Sequence, residues 1–205
     1  MLRELSLRDL LAAFSSRDPT PGGGSASALS AAVGASLLMM VASLPKTRHG
    51  SDEDRAVLAA ATETLAGIRD RLAAAVDEDT AAYDGVVAAF KLPKGAPNEQ
   101  AARSAAIQRA LQAATEVPLE VMKQSAHALD QAALVATHGY KSASSDVGVA
   151  IAMLTAGITG AKLNVDVNLD AINDAGYRDA IGGEAGDLIE RSGATARRAD
   201  DLLRD

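Results

Sequence analysis

The sequence predicts an all-α fold, a single-domain helical bundle with long central helices over residues 1–205. Three observations predict it. The run from about Ser51 to Phe90 carries an apolar seam at Leu58, Ala61, Leu65, Ile68, Leu72, Val76, Tyr83, Val86 and Phe90. At about 100° per residue these positions lie within roughly 60° of one direction. The apolar 48% of the chain comes from Ala, Leu and Val, with two Phe, three Tyr and no Trp. Such a thin core suits helices in close contact better than a β-sandwich. Finally, the breaks between periodic runs are Pro/Gly clusters, and no second alternating segment is available to pair as a sheet.

The elements follow in order. Ser6 to Phe14 reads as a first helix, capped by Ser6 with Asp9 and striped by Leu7, Leu10, Leu11 and Phe14. Ser15 to Gly24 is a loop, since two prolines and three glycines crowd its end. An uncharged helix spans about Ser25 to Leu44, with a greasy ridge (Leu29, Val33, Leu37, Met40) and a small-residue face (Ser27, Ala31, Gly34, Ala35). After the basic turn Pro45 to Gly50, Ser51 with Asp54 caps the long helix. Continuous to Phe90, that helix measures roughly 58 Å, long enough for one end to project into a partner.

Leu92 to Pro97 breaks it. The next helix opens near Pro97 and runs to about Glu116, and Pro118 either kinks it or opens another that ends at His138 and Gly139. A connector to Ser145 precedes a helix from Asp146 to about Ile172. Its stripe of small and polar residues includes Asp146, Ala150, Gly157, Gly160, Asn164 and Asn168, within roughly 40° of one line. A rival strand reading of Leu163 to Leu169 conflicts with its Asn and Asp content. Asn173 to Gly183 reads as irregular, and a last amphipathic helix contains Leu188, Ile189, Ala199 and Leu202.

A net charge of −7 without a Lys/Arg run excludes a general nucleic-acid surface. No cysteine means no disulfide, no thiolate zinc site and no cysteine nucleophile, and three scattered histidines suggest no His-built metal site. The N-terminus lacks the pattern of a signal peptide. Pro19 to Pro45 is uncharged, but its Ser, Ala and Gly content suits a buried central helix more than a membrane span. The expectation is a soluble cytoplasmic protein.

Asp79 sits in the middle of the apolar seam, whereas Asp70, Asp77 and Asp84 point to the opposite, solvated side. A carboxylate on a core face is costly unless paired, so Asp79 is either satisfied by a neighbouring helix or works as a general acid or base. The Gly22-Gly23-Gly24-Ser25 turn opens a helix whose free N–H groups favour anions or carbonyl oxygens. It is neither a Walker loop nor a dinucleotide fingerprint, and by itself it is read first as a tight interhelical turn and second as a ligand loop. Asn164 and Asn168, at i and i+4, either satisfy each other or orient a heterocycle. Lys94 reads as a solvated charge in its turn, and His49, His127 and His138 share no spacing.

Pro19-Thr-Pro-Gly-Gly-Gly-Ser25, Asp77-Glu-Asp-Thr-Ala-Ala-Tyr83, Leu92-Pro-Lys94, Ser145-Asp-Val-Gly-Val-Ala150 and Leu163-Asn-Val-Asp-Val-Asn168 occur in one order and spacing. In these motifs, across about Leu10 to Leu203, the chain resembles the cyclodeaminase/cyclohydrolase family. That family comprises the C-terminal domain of formiminotransferase-cyclodeaminase and stand-alone methenyltetrahydrofolate cyclohydrolases. The resemblance implies a helical homodimer with a folate pocket near the subunit contact, no metal and no prosthetic group, a tetrahydrofolate derivative being the substrate. Its catalytic acid falls on Asp79, and Gly22, Gly23, Gly24, Ser25, Lys94, Asp146, Asn164 and Asn168 match positions implied to line the pocket. Tyr140 stands in place of a usual Asn, Tyr83 in place of a usual Phe, and the Lys46 to Ser51 turn lacks a lysine-rich pattern.

The implied activity is hydrolysis of 5,10-methenyltetrahydrofolate to 10-formyltetrahydrofolate, with Asp79 stabilising the cationic N5–C–N10 bridge and taking a proton from water. The alternative is a formimidoyltetrahydrofolate cyclodeaminase that releases ammonia with the help of a general acid. With no formiminotransferase domain in the sequence, hydrolysis is the first expectation. A reading of another class, supported by the Tyr140 departure, is a folate-binding or dimerisation module without turnover. Lys94 is the basic residue expected to meet the anionic tail of the folate.

Overall fold

Among the described residues the long helices alternate in direction from one to the next. The computed structural model describes residues 1–204. After a 3₁₀ turn at Leu2–Glu4 come α1 (Leu7–Phe14), α2 (Gly23–Ala42), α3 (Asp52–Phe90), α4 (Pro97–His138), α5 (Ser144–Asp170) and α6 (Ala175–Leu202), with a second 3₁₀ turn at Lys141–Ala143. Among the described residues there is no strand, only an isolated bridge between Thr47 and Gly139. The all-α expectation holds. Helices α2 to α5 pack in a ring, and α6 covers α4 and α5.

Small residues fix the closest contact, between α2 and α5. A Cβ on Gly157 would stand 2.8 Å from the Ala31 Cβ and 2.9 Å from the Ser27 carbonyl, so the helices can approach this closely only at a glycine. The Ser30 hydroxyl crosses the same contact to donate to the Met153 carbonyl at 2.9 Å. These pairs run in opposite senses along the two helices, which places the start of α2 beside the end of α5. The seam of α3 is buried from Leu58 through Val76. Beyond Asp79 it leaves the core, with Tyr83 40% and Phe90 51% exposed.

Local chemistry explains the helix ends. The Ser51 hydroxyl accepts the Asp54 N–H, and Asp52, Glu53 and Asp54 put acids in the first turn of α3, favourable to the helix dipole. The Glu99 carboxylate accepts the N–H groups of Gly95 and Ala96 before α4. That helix continues through Pro118, which therefore bends it at most and opens no separate element. Leu163 to Leu169 is helical, as the Asn and Asp content indicated.

One expectation is corrected. Asn173 to Gly183 is not irregular, because α6 begins at Ala175. The Asp174 side chain caps it by accepting the Tyr177 N–H, and the Tyr177 hydroxyl donates to Glu116 on α4 at 2.7 Å. The tertiary anchor outweighs the roughly 1 kcal/mol by which each of Gly182 and Gly183 disfavours a helix relative to alanine. Two helices, α2 and the stretch Lys141–Asp170, are long and apolar enough to cross a membrane by length and composition, and more than half of the α2 window is buried inside the bundle.

Candidate functional site

The start of α2 carries free backbone N–H groups, since no side chain caps it and Gly22 to Gly24 have none to offer. A carboxylate from another helix meets them. Asp79 Oδ2 accepts the Ser25 backbone N–H at 2.8 Å and lies 2.9 Å from the Ser25 hydroxyl. The same hydroxyl stands 2.9 Å from the Val76 carbonyl, so its one proton serves either acceptor. Gly24 makes the approach possible, because a Cβ there would overlap Oδ1 and come within 2.5 Å of the Asp79 Cγ. Oδ1 receives no hydrogen bond among those found in the described residues. The misplaced acid of the α3 seam is thus held by one oxygen.

Around it lies a pocket of about 330 Å³. Pro19, Thr20 and the three glycines form one side, Asp79, Tyr83 and Val86 of α3 a second, Leu111 and Ala114 of α4 a third, and Asn164, Val167 and Asn168 of α5 the fourth. This size falls at the lower end of small-molecule sites, and its mixture of apolar walls with few polar groups is of the same type. The glycine turn, Asp79 and both asparagines, predicted separately, are brought together here.

The asparagines do not satisfy each other. Asn164 Nδ2 donates to the Gly160 carbonyl at 2.8 Å, and Asn168 Nδ2 donates to the Ala114 carbonyl of α4 at 3.0 Å. A carbonyl accepts only, so both amides are oriented with nitrogen toward the backbone, and each keeps its oxygen and a second N–H. Ser25 differs from the expectation of a ligand contact. It is fully buried and touches Asp79 instead.

Two predicted residues are not brought to this pocket. Asp146 lies in the first turn of α5, eighteen residues before Asn164, hence roughly 27 Å away along the axis. It shares a face with the asparagines but not an end of the helix. Lys94 stands in the exposed turn between α3 and α4, beyond Phe90, which is itself roughly 16 Å along α3 from Asp79.

At the far end of the bundle is a second polar cluster that the sequence reading missed. The Asp54 side chain, 3% exposed, lies 2.8 Å from His138 Nδ1 and accepts the His49 N–H at 2.8 Å and the Thr47 hydroxyl at 3.1 Å. His138 first, and the backbone N–H of His49 next, hold its carboxyl well below the usual range against the opposing effect of burial. His49 and His138 are therefore structural partners, not incidental, and no spacing could reveal partners 84 residues apart. Nearby, Lys46 lies over the Tyr140 ring at 5.4 Å, and a hydrogen bond with Ser142, then the Lys46 charge, lower the Tyr140 hydroxyl from its ordinary value.

A methenyltetrahydrofolate cyclohydrolase of Methylorubrum extorquens is 37% identical over 94% of this chain and 93% of its own. A formimidoyltransferase-cyclodeaminase of Gallus gallus is 32% identical over 81% of this chain, which spans 31% of that longer protein. The crystal structure of a formiminotetrahydrofolate cyclodeaminase from Thermotoga maritima superimposes with a TM-score of 0.88 over 100% of this chain and 98% of its own, at 24% identity, and shares the fold. The family model described as formiminotransferase-cyclodeaminase matches residues 6–187, and the chain belongs to that family.

Proposed function

We propose that the pocket hydrolyses 5,10-methenyltetrahydrofolate to 10-formyltetrahydrofolate in one-carbon metabolism. The observation that carries this is Asp79, with Oδ2 anchored on Ser25 and Oδ1 left open in a pocket whose other side chains are neutral. A cationic N5–C–N10 bridge suits such surroundings. Water adds to the bridge carbon and gives one proton to Asp79. The carbon–N5 bond then breaks, N5 keeps the electron pair and takes that proton, and the second water proton leaves to solvent as the formyl carbonyl forms. Hydrolysis is preferred because the cyclohydrolase relative is matched along nearly its whole length.

The cyclodeaminase reaction is the second reading, favoured by the several family members that carry that name. There N10 attacks the formimino carbon, its proton passes to the imino nitrogen, and ammonia leaves with a further proton from Asp79, the bridge carbon taking the positive charge. Lys94 then serves the anionic tail of the substrate at a distance from the reacting centre. The chain acts as one cytoplasmic domain and as a homodimer. The homodimer is supported by the apolar side chains exposed on α2 and α5, namely Val33, Met40, Val149, Leu163 and Val167. A contact of Asp146 with the same ligand requires a second copy, given its distance along α5.

One assay decides. Loss of the near-ultraviolet band of methenyltetrahydrofolate is followed with wild type and Asp79→Asn. Acceleration over buffer that falls at least a hundredfold in the variant is expected. Ammonia release from formiminotetrahydrofolate without hydrolysis selects the second reading, and binding without either turnover selects a non-catalytic module. An unchanged rate in Asp79→Asn refutes the role of that carboxylate.

A further inference from the structure

We infer that Pro118 is a positioning residue for the substrate pocket, acting through Asn168. This deepens the folate reading and rests on it. Proline has no N–H, so within α4 it cannot make the bond that residue 118 would give to the carbonyl four residues earlier, that of Ala114. That carbonyl lies at the pocket wall and accepts instead from Asn168 Nδ2 at 3.0 Å. Ala114 is 9% exposed, so water is a poor substitute for this partner. The vacancy in one helix fixes the side chain of another.

The consequence is a pocket wall whose polar groups are held in one orientation. Asn164 Nδ2 gives one N–H to Gly160 within its own helix, Asn168 Nδ2 gives one to the gap left by Pro118, and Asp79 Oδ2 is taken by Ser25. Each amide keeps its Oδ1 and a second N–H, and the carboxylate keeps Oδ1. A heterocycle that pairs with the Asn168 amide therefore meets its oxygen and its remaining N–H in a fixed order, and a freely rotating Asn168 would relax that selection. Proline inside a helix ordinarily destabilises it, and a side-chain donor across the gap partly offsets that loss.

The test is Pro118→Ala in the full-length protein, compared with Asn168→Ala and the double variant. The new N–H at position 118 competes for the Ala114 carbonyl and frees the Asn168 amide. KM for methenyltetrahydrofolate is expected to rise about tenfold in Pro118→Ala with kcat within about twofold, and the melting temperature is expected to hold or rise. The double variant is expected to match Asn168→Ala, since both changes act through one side chain. Nuclear magnetic resonance gives a readout independent of turnover: the Asn168 side-chain NH₂ exchanges slowly in wild type and fast in Pro118→Ala. An unchanged KM, additive losses in the double variant, or fast exchange already in wild type overturns the inference. If wild type neither binds tetrahydrofolate nor turns over either substrate, the folate reading falls and the inference with it, a result distinct from a failed Pro118 variant.

Discussion

Replacing Gly24 with alanine adds one methyl group at the position where α2 receives the Asp79 carboxylate. The Cβ would stand 2.5 Å from Asp79 Cγ and 2.8 Å from Oδ2. Carbon atoms rest about 3.5 Å apart, so the carboxylate must retreat by about 1 Å. It then loses the Ser25 N–H and hydroxyl, now at 2.8 and 2.9 Å. A misplacement of this size at a reacting group costs on the order of 10²-fold in rate. Helix stability is not the cause of such a loss, since alanine in a helix is favoured over glycine by up to about 1 kcal/mol. Gly23→Ala is the control, because its Cβ would meet Asn164 Nδ2 at 3.6 Å, an ordinary contact. Measured by decay of the methenyltetrahydrofolate band, Gly24→Ala is expected to lose about a hundredfold in kcat and Gly23→Ala less than threefold. Wild-type turnover in Gly24→Ala, or equal damage in both, would refute the geometry argued for Asp79.

Two further outcomes follow from the scaffold. Gly157→Ala forces α2 and α5 apart against the Ala31 Cβ and the Ser27 carbonyl, and thermal unfolding is expected to show a loss of about 1–3 kcal/mol. Asp54 has its carboxyl held below the ordinary 3.8, so its contribution to stability is present above that pH and is lost as the pH falls below it toward the folded value. Denaturant unfolding followed from about pH 5 to pH 2, across the fall below 3.8, is expected to show a steeper acid loss for wild type than for Asp54→Asn. Parallel slopes would count against the His138 pairing.

Periodicity made the helices and the core face of α3 legible, because the α3 seam reports which side is buried, whereas the greasy ridge of α2 faces outward at Val33 and Met40 and its small-residue face is the buried one. The same signal marked Asp79 as misplaced, and the structure supplies its reason in Ser25. What periodicity does not carry is position along the axis. Asp146 and Asn168 lie on one stripe of α5, yet they stand at opposite ends of a 27-residue helix. Partners distant in sequence were equally invisible, as with Asp54 and His138, or Asn168 and the carbonyl exposed by Pro118. The start of α6 was missed because Gly182 and Gly183 suggested a break while its anchor, Glu116, belongs to another helix. Each miss is a long-range contact outweighing a local preference.

The two reactions proposed for this pocket ask opposite things of Asp79, a base toward water and an acid toward departing ammonia. The geometry makes them compatible. Oδ2 faces two donors from Ser25, so proton exchange with a ligand is directed to Oδ1 in both cases. The Ser25 hydroxyl has a second acceptor in the Val76 carbonyl at 2.9 Å, which lets it turn away from Oδ2 without leaving its proton unpaired. Neither protonation state of the carboxyl requires a heavy atom to move. The choice between the two proposed reactions then rests on which bridge the folate carries when it arrives. A substitution that distinguishes the two activities should therefore be sought among other residues lining the pocket, such as Tyr83 or Val86 on α3, and not in the Asp79–Ser25 pair that both would share.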